Sequence, residues 1–118
     1  MPWTWDQISF LVAQIGGLAV LFLAVFIVNP NYARLLYTDP VGVKMSLLAT
    51  ILVGINAGSY LLICFVVNRA WPPGARTRGQ VTVLTLLSGL HFILFGLPVV
   101  YIILVGPAAI TIMNNLAP

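Results

Sequence analysis

Three long apolar runs dominate the sequence, and short polar stretches separate them. They cover about residues 8–28, 41–67 and 81–105. A helix needs about 20 apolar residues, at 1.5 Å each, to cross a hydrocarbon core of about 30 Å. Polar residues do not recur with a helical period inside the runs, so each predicted helix is apolar on all sides. The pattern predicts an all-α integral membrane protein with three transmembrane helices.

Proline marks the ends of these predicted spans. Asn29-Pro30-Asn31 should end the first span, since proline lacks an N–H and disfavours helix in the residue before it. Thr38-Asp39-Pro40 is typical of a helix start, with Thr38 or Asp39 as the cap and Pro40 in the first turn. We expect Pro98 to kink the third run. Gly106-Pro107 should end that span and leave residues 107–118 as an interfacial tail.

Composition supports a single membrane domain over residues 1–118. Hydrophobic residues make up 61% of the chain and charged residues only 6%, whereas soluble domains carry about 25% charged residues. Lipid must therefore be the main solvent. The net charge of +3 comes from loop residues rather than from a basic stripe, so nucleic-acid binding is not expected.

The distribution of positive charge predicts the orientation. The stretch between the second and third runs contains Arg69, Arg76 and Arg78, whereas the other side has Arg34 and Lys44. Cytoplasmic loops carry the excess of Lys and Arg. We therefore expect a cytoplasmic N-terminus and an external C-terminus, in a bacterial inner (cytoplasmic) membrane.

Small residues recur every four positions along the second predicted helix, at Ser46, Thr50, Gly54 and Gly58. Residues four apart share a helix face, and a small-xxx-small face lets another backbone approach closely in lipid. Either another span of the same chain or a partner subunit could fill this face. The first helix has small positions at Ala13, Gly16, Gly17 and Ala24, which makes it one candidate.

Three polar side chains, Gln14, Asn56 and His91, interrupt the apolar runs. A polar group in hydrocarbon is costly unless it is paired, so these three should face one another or a partner. His91 follows Ser88 and Gly89, whose small size could admit the macrocycle of a haem or a (bacterio)chlorophyll. A bis-histidine haem would need a second histidine, and this chain has one. No cofactor is therefore predicted, and ligation by His91 remains an alternative.

Nothing in the sequence indicates catalysis. Asp6 and Asp39 fall at opposite membrane edges, so they cannot form a carboxylate pair. No nucleophile–base arrangement, glycine-rich phosphate loop or metal-ligand spacing occurs. We expect a protein that is not an enzyme.

Two stretches resemble a known family. The first stretch, residues 18–69, has two apolar helices with Asn29-Pro30-Asn31-Tyr32 and the segment Leu36 to Gly42 between them. The second stretch, residues 104–112, looks like the last segment of the same proteins. These features resemble the membrane hairpin of tight-adherence (Tad) pilus platform proteins, in the type II secretion F family. Its members carry cytoplasmic helical domains that engage an assembly ATPase. The 118 residues here leave no room for such domains, so the resemblance implies the hairpin without the coupling to a motor.

A further similarity, to the small three-span subunit IV of haem–copper oxidases, rests on size, span count and residues 112–116. We interpret the chain as a non-catalytic accessory subunit of a larger membrane complex, respiratory, photosynthetic or similar. Its expected partners are other integral membrane subunits and lipid. A platform component of a Tad-like secretion system and a pigment- or haem-binding subunit are the alternatives.

Overall fold

The computed structural model describes residues 2–116, and within that range the chain is helical with no strand. Met1, Ala117 and Pro118 lie outside the described residues, so the last two positions of the predicted tail are not covered. Three helical stretches, of 24, 31 and 39 residues, are long and apolar enough to cross a membrane. The prediction of three membrane-spanning helices is confirmed at this level.

Five α-helices follow one another within residues 2–116: α1 (Trp5–Val28), α2 (Pro30–Thr38), α3 (Pro40–Ala70), α4 (Arg78–His91) and α5 (Leu97–Leu116). A single 3₁₀ turn, Pro73–Ala75, lies between α3 and α4. The connection predicted after the first span is therefore itself the short helix α2. The molecule is 59 Å long and 27 by 21 Å across, an elongated bundle.

Side-chain caps account for where three helices begin. The carboxylate of Asp39 accepts hydrogen bonds from the backbone N–H groups of Val41 and Gly42, with Pro40 in the first turn, which confirms the predicted start of α3. Threonine caps α1 and α4, in each case in a reciprocal pair with a glutamine three residues later: Thr4 with Gln7, and Thr77 with Gln80. Each pair matches the capping-box signature, a signal that our sequence reasoning missed.

The third stretch is one continuous helical rod with a π turn, Phe92–Gly96, joining α4 to α5. In this turn the N–H of Leu97 donates to the carbonyl of Phe92, five residues earlier. The π turn ends two residues before Pro98, where the sequence predicted a kink, and such wide turns are a common source of helix distortion.

The helix does not end at Gly106-Pro107, which corrects the expectation that the span stops there. Pro107 lies inside α5, which continues to Leu116. A proline removes one backbone hydrogen bond. Ending the helix in an apolar environment would expose several unpaired backbone groups instead, which is the greater cost.

The helix α5 lies at the centre of the bundle, between α1 and α3. Its Val99 and Ile103 pack with Leu18 of α1 in one buried cluster. A second cluster lies nearer the N-terminus, where Leu11 of α1 meets Tyr60 and Cys64 of α3. Large side chains therefore form most of these two clusters between α1, α3 and α5.

Candidate functional site

The small-residue face of α3 comprises Ser46, Thr50, Gly54 and Gly58, and its two glycines point away from the rest of the described chain. Thr50, Gly54 and Gly58 are exposed, and Ser46 is half-buried. A Cβ added to Gly54 or Gly58 would meet no atom of residues 2–116 within 4 Å. No other span fills this face, so that alternative from the sequence is wrong for Gly54 and Gly58.

The small residues of α1 behave in the same way. Ala13, Gly16 and Gly17 are exposed, and an added Cβ at either glycine would meet nothing within 4 Å in the described part of the chain. The adjacent Gln14 and Leu18 are the buried positions of α1. The glycines Gly16, Gly17, Gly54 and Gly58 thus lie on the outer surface of the bundle, and packing within the described chain does not use them.

Two of the three intramembrane polar side chains meet each other, as predicted. Asn56 is fully buried, and its amide N–H donates to Oε1 of Gln14 at 3.2 Å. The amide nitrogen of Gln14 and the carbonyl oxygen of Asn56 have no protein partner within residues 2–116. The pair joins α1 to α3 through one hydrogen bond and leaves one polar atom of each side chain unpaired.

His91 bonds to a residue that the sequence reasoning had not paired with it. Its Nε2 lies 2.7 Å from the hydroxyl oxygen of Ser59, and the Ser59 hydroxyl can also donate to the carbonyl of Ile55. Ser59 therefore engages Nε2 of His91, as donor or acceptor according to the tautomer of the ring. The ring also stacks at an angle against Tyr60 and Phe95, with centroids 5.7 and 4.9 Å away.

This geometry bears on the haem or chlorophyll alternative. A histidine that ligates a metal must offer an unprotonated ring nitrogen that the metal can reach. Nδ1 is buried, with under 1 Å² accessible and no partner in the described range. Nε2 is engaged by Ser59. His91 therefore presents no open nitrogen to a macrocycle in this conformation.

A hydrogen-bonded network closes one end of the bundle, which we call the basic end because it contains the loop with Arg76. The side-chain amides of Gln7 and Asn68 bond reciprocally, at 3.0 and 2.8 Å. Asn68 also accepts from the guanidinium of Arg76 and donates to the carbonyl of Pro2 at 2.8 Å. The network holds the N-terminal segment, α3 and the following loop together.

The opposite end, called the α2 end, is held by Tyr32 and Asp39. The side chain of Tyr32 is 2% exposed because it packs onto Gly106, which has no Cβ to obstruct it. Burial raises the pKa of the Tyr32 phenol. The side-chain amide of Asn114 donates to Asp39 at 2.9 Å. This bond, with the N–H of Gly42, lowers the pKa of the Asp39 carboxyl.

Two grooves open on the sides of the bundle. The larger, of about 480 Å³, lies between α3 and α4 and reaches from the basic end to His91. The smaller, of about 350 Å³, lies between α1 and α3 near the α2 end, above Val99 and Ile103 of α5. Ser46 and Thr50 lie along its edge, so the small-residue face runs into this second groove.

The two carboxylates, Asp6 and Asp39, lie at opposite ends of the bundle, at the start of α1 and of α3. Among the residues that the structure describes, no three His, Cys, Asp or Glu side chains group as a metal site. No protein-family model, curated protein or solved structure matches this chain. The function must therefore be argued from the geometry.

Proposed function

We propose that this chain is a small, non-catalytic accessory subunit of a larger membrane protein complex. The observation that supports the proposal is the open small-residue face of α3. Gly54 and Gly58 are exposed in mid-helix, and the described chain places no atom where their Cβ atoms would be. A partner helix could therefore approach the backbone of α3 directly.

Contact with lipid does not explain why a helix would expose a face of small residues. Acyl chains are as apolar as leucine, so helices in a membrane associate through close van der Waals contact and hydrogen bonds. A glycine in mid-helix costs about 1 kcal/mol relative to alanine. Two glycines on one exposed face carry that cost without any compensating contact inside the chain, and a tightly packed partner helix would supply one.

The outward small residues of α1 extend the same argument to a second face. Gly16 and Gly17 are also open, so the chain has close-approach surfaces on two of its helices. A subunit with two such faces is suited to lie between neighbours in an assembly. Stabilising or orienting those neighbours is the role that we assign to it.

The test is a Gly54→Leu substitution. We expect a leucine there to hold the partner helix away and to lower the yield of the complex, while the isolated chain keeps its helicity by circular dichroism. Gly89→Leu is the matched control, because Gly89 is exposed on α4 and an added Cβ there also meets nothing within 4 Å in the described residues.

Extraction in a mild detergent, followed by affinity purification and mass spectrometry, measures the outcome. Loss of integral membrane partners in Gly54→Leu alone would support the proposal. Partners retained at the wild-type level, or lost equally in Gly89→Leu, would show that this face is not the interface. Co-purification of a secretion ATPase and prepilins would instead favour the pilus platform role.

A further inference from the structure

The groove between α3 and α4 is long, narrow and open at the basic end. Along α4 and the π turn that follows it, the lining runs from Val81 to Phe95, which is about 20 Å at 1.5 Å per residue. Most of the lining is apolar, as at Val67 and Leu84. A single hydrocarbon chain that enters at the membrane surface and extends toward mid-membrane matches this shape.

The mouth of the groove carries one charge of each sign. Arg76 and Asp6 both line it, and both belong to the basic end of the bundle. The guanidinium of Arg76 is held in place, since its Nε donates to the carbonyl of Trp71 at 3.0 Å and a terminal nitrogen donates to Asn68. A guanidinium has five N–H donors, so these two bonds leave three for an anionic ligand.

At the deep end of the groove, the polar atoms of His91 and Thr85 are buried or already bonded. His91 lines it, yet its Nε2 is bonded to Ser59 and its Nδ1 has under 1 Å² accessible. The hydroxyl of Thr85 donates to the carbonyl of Val81 in its own helix, at 2.9 Å. The polar part of a ligand therefore belongs at the mouth and the apolar part at depth.

We propose that this groove is a binding site for one phospholipid with a primary ammonium headgroup, as in phosphatidylethanolamine. Its phosphate bonds to Arg76, its ammonium bonds to Asp6, and one acyl chain lies between α3 and α4 as far as His91. The charge pair at the mouth is the reason for this choice. A purely anionic head would meet the carboxylate of Asp6, and a choline head could not donate a hydrogen bond to it. This site is independent of the accessory role proposed above.

The experiment uses the full chain in nanodiscs that contain equal amounts of phosphatidylethanolamine, phosphatidylcholine and phosphatidylglycerol. After mild extraction, native mass spectrometry counts the lipids that remain bound. We expect phosphatidylethanolamine to be retained preferentially. Arg76→Gln should lower that retention about tenfold, the effect of losing a hydrogen bond to a charged group. Arg78→Gln is the control, because Arg78 is exposed near the same loop and does not line the groove.

Two more variants test the ammonium contact and the space for the acyl chain separately. Asp6→Asn should abolish the preference over phosphatidylcholine while a phospholipid is still retained. Ser88→Leu should lower retention of all three lipids by narrowing the groove, and it leaves the bonds of Arg76 intact should Arg76→Gln disturb the fold. Equal retention of the three lipids by the wild type, preference for phosphatidylglycerol, or equal losses in Arg76→Gln and Arg78→Gln would overturn the proposal.

Discussion

Gly42 offers the sharpest test of the fold, because the backbone of α2 approaches it where α3 begins. Gly42 is buried, and a Cβ added to it would overlap the carbonyl oxygen of Leu35 and lie 2.7 Å from the carbonyl carbon. The Cα of Leu36 would be 3.2 Å away. These atoms belong to the backbone and cannot rotate aside. Gly42→Ala must therefore separate α2 from α3.

The magnitude follows from two opposing terms. Overpacking in a close-packed region costs about 1–3 kcal/mol, and the rigid neighbour places Gly42→Ala toward the upper end. Alanine in place of glycine in a helix contributes at most about 1 kcal/mol in the favourable direction. The net expectation is a loss of about 2 kcal/mol in the free energy of unfolding.

Gly54→Ala in the same helix isolates the clash. An added Cβ at Gly54 meets nothing within 4 Å of the described chain, so only the favourable propensity term of up to about 1 kcal/mol remains. The difference between the two variants, about 3 kcal/mol, is then mainly the overlap with Leu35. Unfolding of the purified chain by SDS in mixed micelles, followed by tryptophan fluorescence, measures both. A Gly42→Ala variant as stable as Gly54→Ala would refute the packing of α2 on α3.

Two further predictions concern polar pairs at the α2 end and in mid-membrane. Because the folded pKa of Asp39 is lowered, its carboxylate stabilises the fold at pH above the unfolded value, about 3.9, and this contribution is lost as pH falls through the folded pKa. The SDS midpoint for unfolding of the wild type should thus fall at low pH, whereas the midpoint of Asp39→Asn should lack the part of this fall that comes from Asp39. Identical pH profiles for the two proteins would contradict the prediction. Asn56→Leu should destabilise the chain by about 0.6–2 kcal/mol, since it leaves Gln14 unpaired. The double variant Gln14→Leu/Asn56→Leu should recover most of that loss, and a double-mutant cycle with no coupling would argue against the 3.2 Å bond.

Local sequence signals predicted the helices and several of their ends. The three apolar runs correspond to the three long helical stretches, and Asp39-Pro40 begins α3 as expected. Pro107 was misjudged because proline is a strong terminator where water can satisfy the freed backbone groups, whereas α5 continues through it. The short helix α2 was read as a connection, since nine residues carry too little periodicity to identify it.

The contacts that shape the candidate sites were much less predictable. Gln7 and Asn68 pair across 61 positions of sequence, and Tyr32 packs onto Gly106 from a helix that the sequence did not reveal. The bond between Ser59 and His91 depends on the mutual rotation of the two helices that carry them. The residue types alone indicate that these polar side chains need hydrogen-bond partners, but they do not indicate which partners.

The sequence by itself determined that three stretches are long and apolar enough to cross a membrane, and it indicated which polar residues within them need partners. Length and composition suffice for these properties, because about 20 apolar residues per span is a requirement of the bilayer. Only the tertiary structure decided which face of each helix points inward. A span that is apolar on all sides has no hydrophobic gradient to set its rotation, so packing alone placed Gly54 and Gly58 outside and Asn56 inside.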